Sequence, residues 1–379
     1  MSSSNITCRS CGSAALKTFL ALGDQPLANS FIDPSQADAV SAEVKAPLNV
    51  AVCTECWLMQ ITELIPPSAL FSDYLYFSSF SDFMLQHARE ACSVFTKRLG
   101  LNSQSFVAEI ASNDGYLLKN FVRDGIPCLG IEPAKNIAEV SRNAGIDTLS
   151  EFFGLETARQ LVADRGKADL IIGNNVFAHA PDTNDFVAGL AAFLKADGTV
   201  ALEFPYGKEM VDKNEFDTVY HEHVFYLTLL PLVPLFARHG LEICDVQEMP
   251  IHGGSLRLWI GHQGAHLIQP AVSAMLAEEK SAGLEDAAYY LALGDRAKNI
   301  RHYLPQLLAD LKSRGKTVAA YVAAAKGTTL LNYCSPPANT IDFIADRSHL
   351  KQGRLSPGLH IPIVPAEELA ACQPDYCLL

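Results

Sequence analysis

The sequence predicts an α/β protein in three parts: a small metal-binding N-terminal domain, a central doubly wound parallel sheet, and a second, smaller α/β unit. Three observations lead there. Two CxxC pairs stand early in the chain, at Cys8/Cys11 and Cys53/Cys56. From Phe106 to Pro205 short apolar runs alternate with stretches of helical length, and the alternation resumes at Thr317. The 379 residues amount to about 2.5 units of typical domain size, which leaves room for two or three domains.

Composition narrows the class. Apolar residues make up 49% and charged residues 19%, a globular balance that excludes disordered or collagen-like chains. The net charge of −13 has the wrong sign for a protein that binds by neutralising nucleic-acid phosphates. The longest apolar stretch, Val224 to Ala237, contains Pro231 and Pro234 and is too short to span a bilayer. The first twelve residues show no basic region followed by an apolar one, so no secretory signal is read and a cytoplasmic location is expected. Ten cysteines in that setting point to thiols or metal rather than disulfides. A monomer is the expectation.

Each CxxC places two thiolates on one tight turn, and two such turns complete a closed tetrahedral zinc shell with no position for water. Cys8, Cys11, Cys53 and Cys56 are therefore read as ligands of a structural Zn²⁺ in a domain covering residues 1–70. An aromatic, Ser-rich segment follows from residue 71 and runs into a helix that bridges to the next domain, residues 71–265. There FVAEIA is a buried strand, SNDG a turn and YLLKNFVRDG a helix ending at Gly125. CLGIEPA, ADLIIGNNVF and GTVALEFP read as further strands with helices between them. The segment from Tyr206 to Pro231 looks irregular, and LEICDVQEMP with GSLRLWIGH suggests an antiparallel edge. A helical stretch from Ala271 to Arg314 opens the last domain, residues 266–379, followed by the strand-like TVAAYVAAA, IDFIADRS, HIPIVP and DYCLL.

The strand ends carry the chemistry. Glu109 closes the first central strand, and Ala111, Ser112, Asn113, Gly115 and Tyr116 form a small-residue turn into a helix, which lets a ligand approach backbone N–H groups. Glu132 closes the second strand, where a carboxylate can accept both hydroxyls of a ribose. No GxGxxG is present, which disfavours NAD and favours S-adenosylmethionine, a cofactor without a pyrophosphate. Strand-end carboxylates without a ligand give the same bare pattern. Asn174, Asn175 and His179 follow the next strand, at the same edge.

Tyr220-His221-Glu222-His223 is the densest polar cluster. Its two histidines are two apart, not the four of a zinc protease helix, so acid/base work outweighs metal binding. An imidazole titrates near operating pH, and a neighbouring carboxylate can fix its tautomer. Lys326, Gly327, Thr328 and Asn332 occupy the first strand-to-helix turn of the last unit, a natural phosphate site.

Together these residues resemble the S-adenosylmethionine-dependent nucleotide-sugar C-methyltransferases of deoxysugar biosynthesis. The likeness runs through CRSCG, LGDQPLANSF, CTECWLMQ, EIASNDGYLL, GIEPAKNIA, NNVFAHAPD, YHEHVFYLTL, IHGGSLRLWI, AAKGTTLLNY and KQGRLSPGLHIPIV, in family order. It implies a four-cysteine zinc domain, a central class I (Rossmann-like) methyltransferase domain and a C-terminal Rossmann-like domain. It further implies methylation at a carbon beside a ketone, typically C3 of a dTDP-linked 4-keto-deoxysugar, with S-adenosylhomocysteine as the other product. His223 is then the base, with Tyr220, His179 and Glu222 managing protons or the enolate. Tyr74 and Tyr76 resemble tyrosines near the sugar and nucleotide, and His252, Gly253, Gly254, Ser255 and Arg257 resemble a segment that meets a substrate phosphate. Ala111 departs from the glycine common there. Two other readings compete: O- or N-methylation on the same scaffold, and a zinc-containing module that holds the cofactor without turnover.

Overall fold

The computed structural model describes residues 6–66, 70, 77–251 and 253–379. The N-terminal region forms an antiparallel sheet from β1 (Leu16–Pro26), β2 (Lys45–Cys53) and β3 (Met59–Ile61). Its inward side chains Leu20, Leu48, Val50 and Val52 are fully buried.

A helix at Asp82–Leu99 leads into the centre. Ser81 caps its first turn by accepting the Met84 N–H, and Gly100 ends it with φ +64°. It buries Met84, Ala88, Ala91, Cys92 and Phe95, the last edge-on to Trp259. Next come β4 (Val107–Ile110), β5 (Cys128–Ile131), β6 (Thr148–Leu149), β7 (Ala168–Asn174) and β8 (Leu194–Pro205), all parallel. All four β4 residues are buried, as expected of a strand covered on both faces.

Beyond β8 the chain makes β9 (Phe225–Tyr226), which leaves the central sheet and pairs with β3. The hairpin of β10 (Leu241–Met249) and β11 (Ser255–His262) then returns to it, β11 running antiparallel to β8. The resulting order is β10-β11-β8-β7-β4-β5-β6. Strand order reverses at β4, so a crevice opens at the carboxyl ends of β4, β5 and β7.

The run from Val224 to Ala237, expected to be too short to span a bilayer, contains a short buried helix at Leu229–Ala237, with Pro231 in its first turn and Pro234 inside it. One expectation changes. The single helical stretch expected after Ala271 is two helices, Pro270–Ser281 and Ala287–Ser313, the second capped by Asp286. The longer helix lies against β1, where a side chain at Gly294 would clash with the Phe19 carbonyl. The C-terminal sheet is parallel, ordered β14-β13-β12-β15, from β12 (Val318–Tyr321), β13 (Ile344–Asp346), β14 (Ile363–Pro365) and β15 (Tyr376–Leu378). No helix among the described residues is long and apolar enough to cross a membrane.

Candidate active site

The four cysteines meet as their spacing implies. Cys8 Sγ lies 3.5 Å from Cys56 Sγ, Cys11 Sγ lies 3.6 Å from Cys53 Sγ, and all four sulfurs fall within 4.8 Å of one another without a disulfide. Zn–S bonds of about 2.3 Å in a tetrahedron put sulfurs roughly 3.8 Å apart, so the set fits zinc. Gly12 takes φ +76° after the first turn and Trp57 takes φ +65° after the second. Trp57 stacks on Tyr290 at 6.3 Å, tying the metal domain to the long helix. The Thr183 hydroxyl and the Asn184 amide donate to the Arg9 carbonyl, which docks the first turn on the central domain.

The crevice is part of a cavity of about 940 Å³ that draws residues from all three regions. Ala111, Asn113 and Tyr116 line it after β4, Glu132 after β5, and Asn174 and Asn175 at the end of β7. Glu132 is buried, and its two oxygens accept the N–H groups of Asn113 and Ala134, each at 2.9 Å. Burial raises its pKa against those two bonds, and no Lys or Arg pairs with it among the described residues. A carboxyl group held this way suits neutral hydroxyl donors. Ala111 sits at φ +54° and Asn113 at φ +52°, left-handed backbone that glycine adopts without a Cβ penalty.

Three of the expected cofactor residues do not line the cavity. Glu109 is 1% exposed inside the sheet, and burial, then the neighbouring Glu132 and Asp114 charges, push its pKa well up. Ser112 is wholly buried, packed where Gly130 leaves room for it. Gly115 is required by the turn: it has φ +78°, and a Cβ there would collide with Ile146.

The YHEH segment is held at the opposite wall by β9. His223 Nδ1 donates to the Thr218 carbonyl at 3.0 Å, which leaves Nε2 to accept the Tyr220 O–H at 2.7 Å. His179 Nδ1 donates to the Glu222 backbone carbonyl at 2.6 Å, and its ring centre is 5.0 Å from that of His223. Burial lowers the His179 pKa despite that carbonyl and the Asn175 one, so the ring is neutral near pH 7. Both tautomers are thus fixed by backbone carbonyls, not by the carboxylate expected from sequence. Glu222 is 4% exposed and off the cavity wall, with burial raising its pKa. His221 is 1% exposed and does not line the cavity, and burial lowers its pKa.

The expected substrate residues divide. Tyr74, Tyr76 and His252 lie outside the described residues. Gly254 lines the cavity and its carbonyl accepts the Tyr206 N–H at 2.9 Å, while Gly253 abuts Glu215. Ser255 is buried, its hydroxyl donating to the Ile251 carbonyl. Arg257 is 3% exposed and gives Nε and Nη2 to Glu203 at 2.9 and 2.6 Å, and His87 completes the buried group at 2.7 Å from Glu203. It is therefore scaffold beneath the sheet, not an arm for a phosphate. Lys326 lines the main cavity, 3.5 Å from Glu215. Asn332 instead borders a smaller cavity of about 290 Å³, and its amide is spent on the Thr328 and Pro357 carbonyls at 2.9 and 3.0 Å.

Three family profiles match in series: a zinc binding domain over residues 8–71, a methyltransferase domain over 84–246 and a C-methyltransferase C-terminal domain over 250–379. The chain is 37% identical over 373 residues to the C-methyltransferase NovU of Streptomyces niveus, covering 98% of this chain and 88% of that one. The chain belongs to the C-methyltransferase family. It is an S-adenosylmethionine-dependent C-methyltransferase with a zinc-binding domain. Solved structures with similar parts include magnesium protoporphyrin IX methyltransferase from Synechocystis with bound S-adenosylmethionine, at 13% identity, TM-score 0.36, 52% of this chain and 89% of that one. The CcbJ methyltransferase of Streptomyces caelestis matches at 10% identity, TM-score 0.38, 46% of this chain and 89% of that one.

In this C-methyltransferase, sequence reasoning missed Asn29, Lys351 and the Phe152–Phe153 pair, all on the cavity wall. Asn29 lies inside the LGDQPLANSF motif, so the signal was present without an assigned role.

Proposed function

We propose that this C-methyltransferase methylates C3 beside the 4-keto group of a nucleotide-linked deoxysugar, dTDP-linked in the first instance, in deoxysugar biosynthesis. The observation that carries the reading is the Tyr220–His223 pair facing a strand-end carboxyl across one cavity. When bound, S-adenosylmethionine supplies an electrophilic methyl group, and Glu132, Asn113 and the turn at Ala111 would hold it.

The remaining chemistry belongs to the chain. His223 Nε2 is occupied by the Tyr220 hydroxyl, so the pair works as a unit: the phenolic oxygen takes the C3 proton as it passes its own to His223. The Thr218 carbonyl stabilises the resulting imidazolium through Nδ1. Neutral His179, one ring away, has its Nδ1 proton on the Glu222 carbonyl and so offers Nε2 as an acceptor, placed to orient a substrate hydroxyl rather than to donate to the enolate oxygen. Lys326 and Lys351, on the C-terminal wall, supply positive charge for the nucleotide's phosphates. Reaction at a carbon rather than an oxygen or nitrogen follows from a base placed to generate an enolate, and the family supports the same reading.

The test is product analysis after incubation with S-adenosylmethionine and a panel of dTDP- and GDP-linked 4-keto-deoxysugars. A gain of one methyl group, located on carbon by NMR and absent with His223→Ala, supports the reading. Methyl on oxygen or nitrogen contradicts it.

A further inference from the structure

We propose that Asn29, brought to the central cavity by the zinc-binding domain, hydrogen-bonds an oxygen of the methyl acceptor, and that Glu222 is the positioning residue that aims it. The proposal rests on the reading of the site as a C-methyltransferase acting on an oxygenated ring. Asn29 lines the cavity together with His179, Tyr220 and His223, although 150 residues or more of chain separate it from them. Its Nδ2 donates to Glu222 Oε1 at 3.0 Å, the amide's one hydrogen bond among the described residues. The second N–H and the Oδ1 are left to face the cavity, a donor and an acceptor side by side. That pair matches a hydroxyl or carbonyl oxygen on a sugar-like ring better than it matches an apolar or anionic group.

The support behind the amide is rigid on both sides. Three residues on, Ile32 donates its N–H to the Leu355 carbonyl at 3.0 Å and accepts the Leu355 N–H at 2.9 Å, clamping the loop to the C-terminal region. Glu222 lies behind the wall, with Oε2 buried and without a hydrogen-bond partner among the described residues. Burial keeps this carboxyl protonated to a higher pH than usual, and a proton on Oε2 makes Oε1 the carbonyl-type acceptor that Asn29 needs. The same residue's backbone carbonyl fixes the His179 tautomer, so Glu222 orients two groups that face the substrate while touching none of it.

The experiment compares Asn29→Ala, Asn29→Asp, Glu222→Gln and Glu222→Leu with the unsubstituted enzyme. The readouts are kcat and acceptor KM, the Kd for S-adenosylhomocysteine by calorimetry, and zinc content. Asn29→Ala is expected to lower kcat/KM for the acceptor about 10–100-fold while cofactor affinity and zinc stay unchanged. Glu222→Gln keeps a carbonyl acceptor and retains activity within about threefold, whereas Glu222→Leu falls to the level of Asn29→Ala. Adding Glu222→Leu to Asn29→Ala brings little further loss. The near-isosteric Asn29→Asp decides the matter if Asn29→Ala loses zinc or fails to fold. Unchanged kcat/KM in a folded Asn29 variant overturns the proposal, as does Glu222→Gln proving as damaging as Glu222→Leu. Absence of any C-methylated product from the unsubstituted enzyme overturns the functional reading itself, and this inference with it.

Discussion

The central and C-terminal parallel sheets use one device twice, and the difference between the copies shows what each is for. After the first strand of each, a residue without glycine's freedom takes a left-handed conformation: Ala111 at φ +54° after β4, Val322 at φ +72° after β12. At the end of the adjacent strand a carboxylate bridges two backbone N–H groups: Glu132 those of Asn113 and Ala134, Asp346 those of Ala323 and Ser348. Beyond that the copies part. Among the described residues no lysine or arginine pairs with Glu132, which faces the large cavity, whereas Asp346 has Lys351 Nζ at 3.7 Å. The first arrangement fits neutral hydroxyls, and the second carries a lysine that can turn to an anion. A shared backbone frame therefore does not set the ligand; the charge placed beside its carboxylate does.

Breaking the zinc cluster has the largest expected effect on this comparison, because β9, which holds the Tyr220–His223 segment, pairs with β3. Chelation or Cys53→Ser should release zinc, unfold the N-terminal sheet and abolish turnover, since structural zinc contributes on the order of 10 kcal/mol to folding. Zinc content, circular dichroism and activity measured together check this. Next, Glu203→Gln leaves Arg257 charged and buried, and should cost about 3–5 kcal/mol in denaturant unfolding. If Arg257 were a phosphate ligand, Arg257 variants would raise acceptor KM with stability unchanged. Glu132→Gln should weaken S-adenosylhomocysteine binding roughly tenfold by calorimetry, while Asp346→Asn leaves it unchanged.

A smaller effect is pH-dependent. Burial lowers the pKa of His179 and His221 in the folded state, so the unfolded chain binds more protons below about pH 6.5. The stability these groups contribute is present above that pH and falls on acidification, and His221→Leu should flatten the slope seen in unfolding between pH 7 and 5. The smallest change comes from Ala111→Gly, which relieves a left-handed alanine and should alter stability by about 1 kcal/mol or less.

Much of this was legible because the signals are local. Four cysteines in two close pairs, and strand-length apolar runs ending in Glu109 and Glu132, carry their geometry in their spacing. What escaped depends on contacts between distant segments. Glu109 and Glu132 look alike in sequence, yet only Glu132 reaches the cavity, because Glu109 lies inside β4 and is buried there, whereas Glu132 stands just past the end of β5. Arg257 was read as a ligand because its segment resembles a substrate-facing one, while the Glu203 and His87 that claim it lie 54 and 170 residues away. Asn332 is taken up by Pro357, and Asn29 acquires meaning only when Glu222 arrives beside it.

The central claim is that the enzyme makes a carbanion before methyl transfer, with Tyr220 and His223 as the base. Solvent exchange at the acceptor carbon tests it directly: a nucleotide-linked 4-keto-deoxysugar is incubated in D₂O with the protein and S-adenosylhomocysteine, which permits no methylation, and deuterium at C3 is followed by NMR. The account predicts uptake by the unsubstituted enzyme and a loss of about 10²–10⁴ in the exchange rate with His223→Ala or Tyr220→Phe. Exchange at the uncatalysed rate, or exchange unaffected by both substitutions, would contradict it.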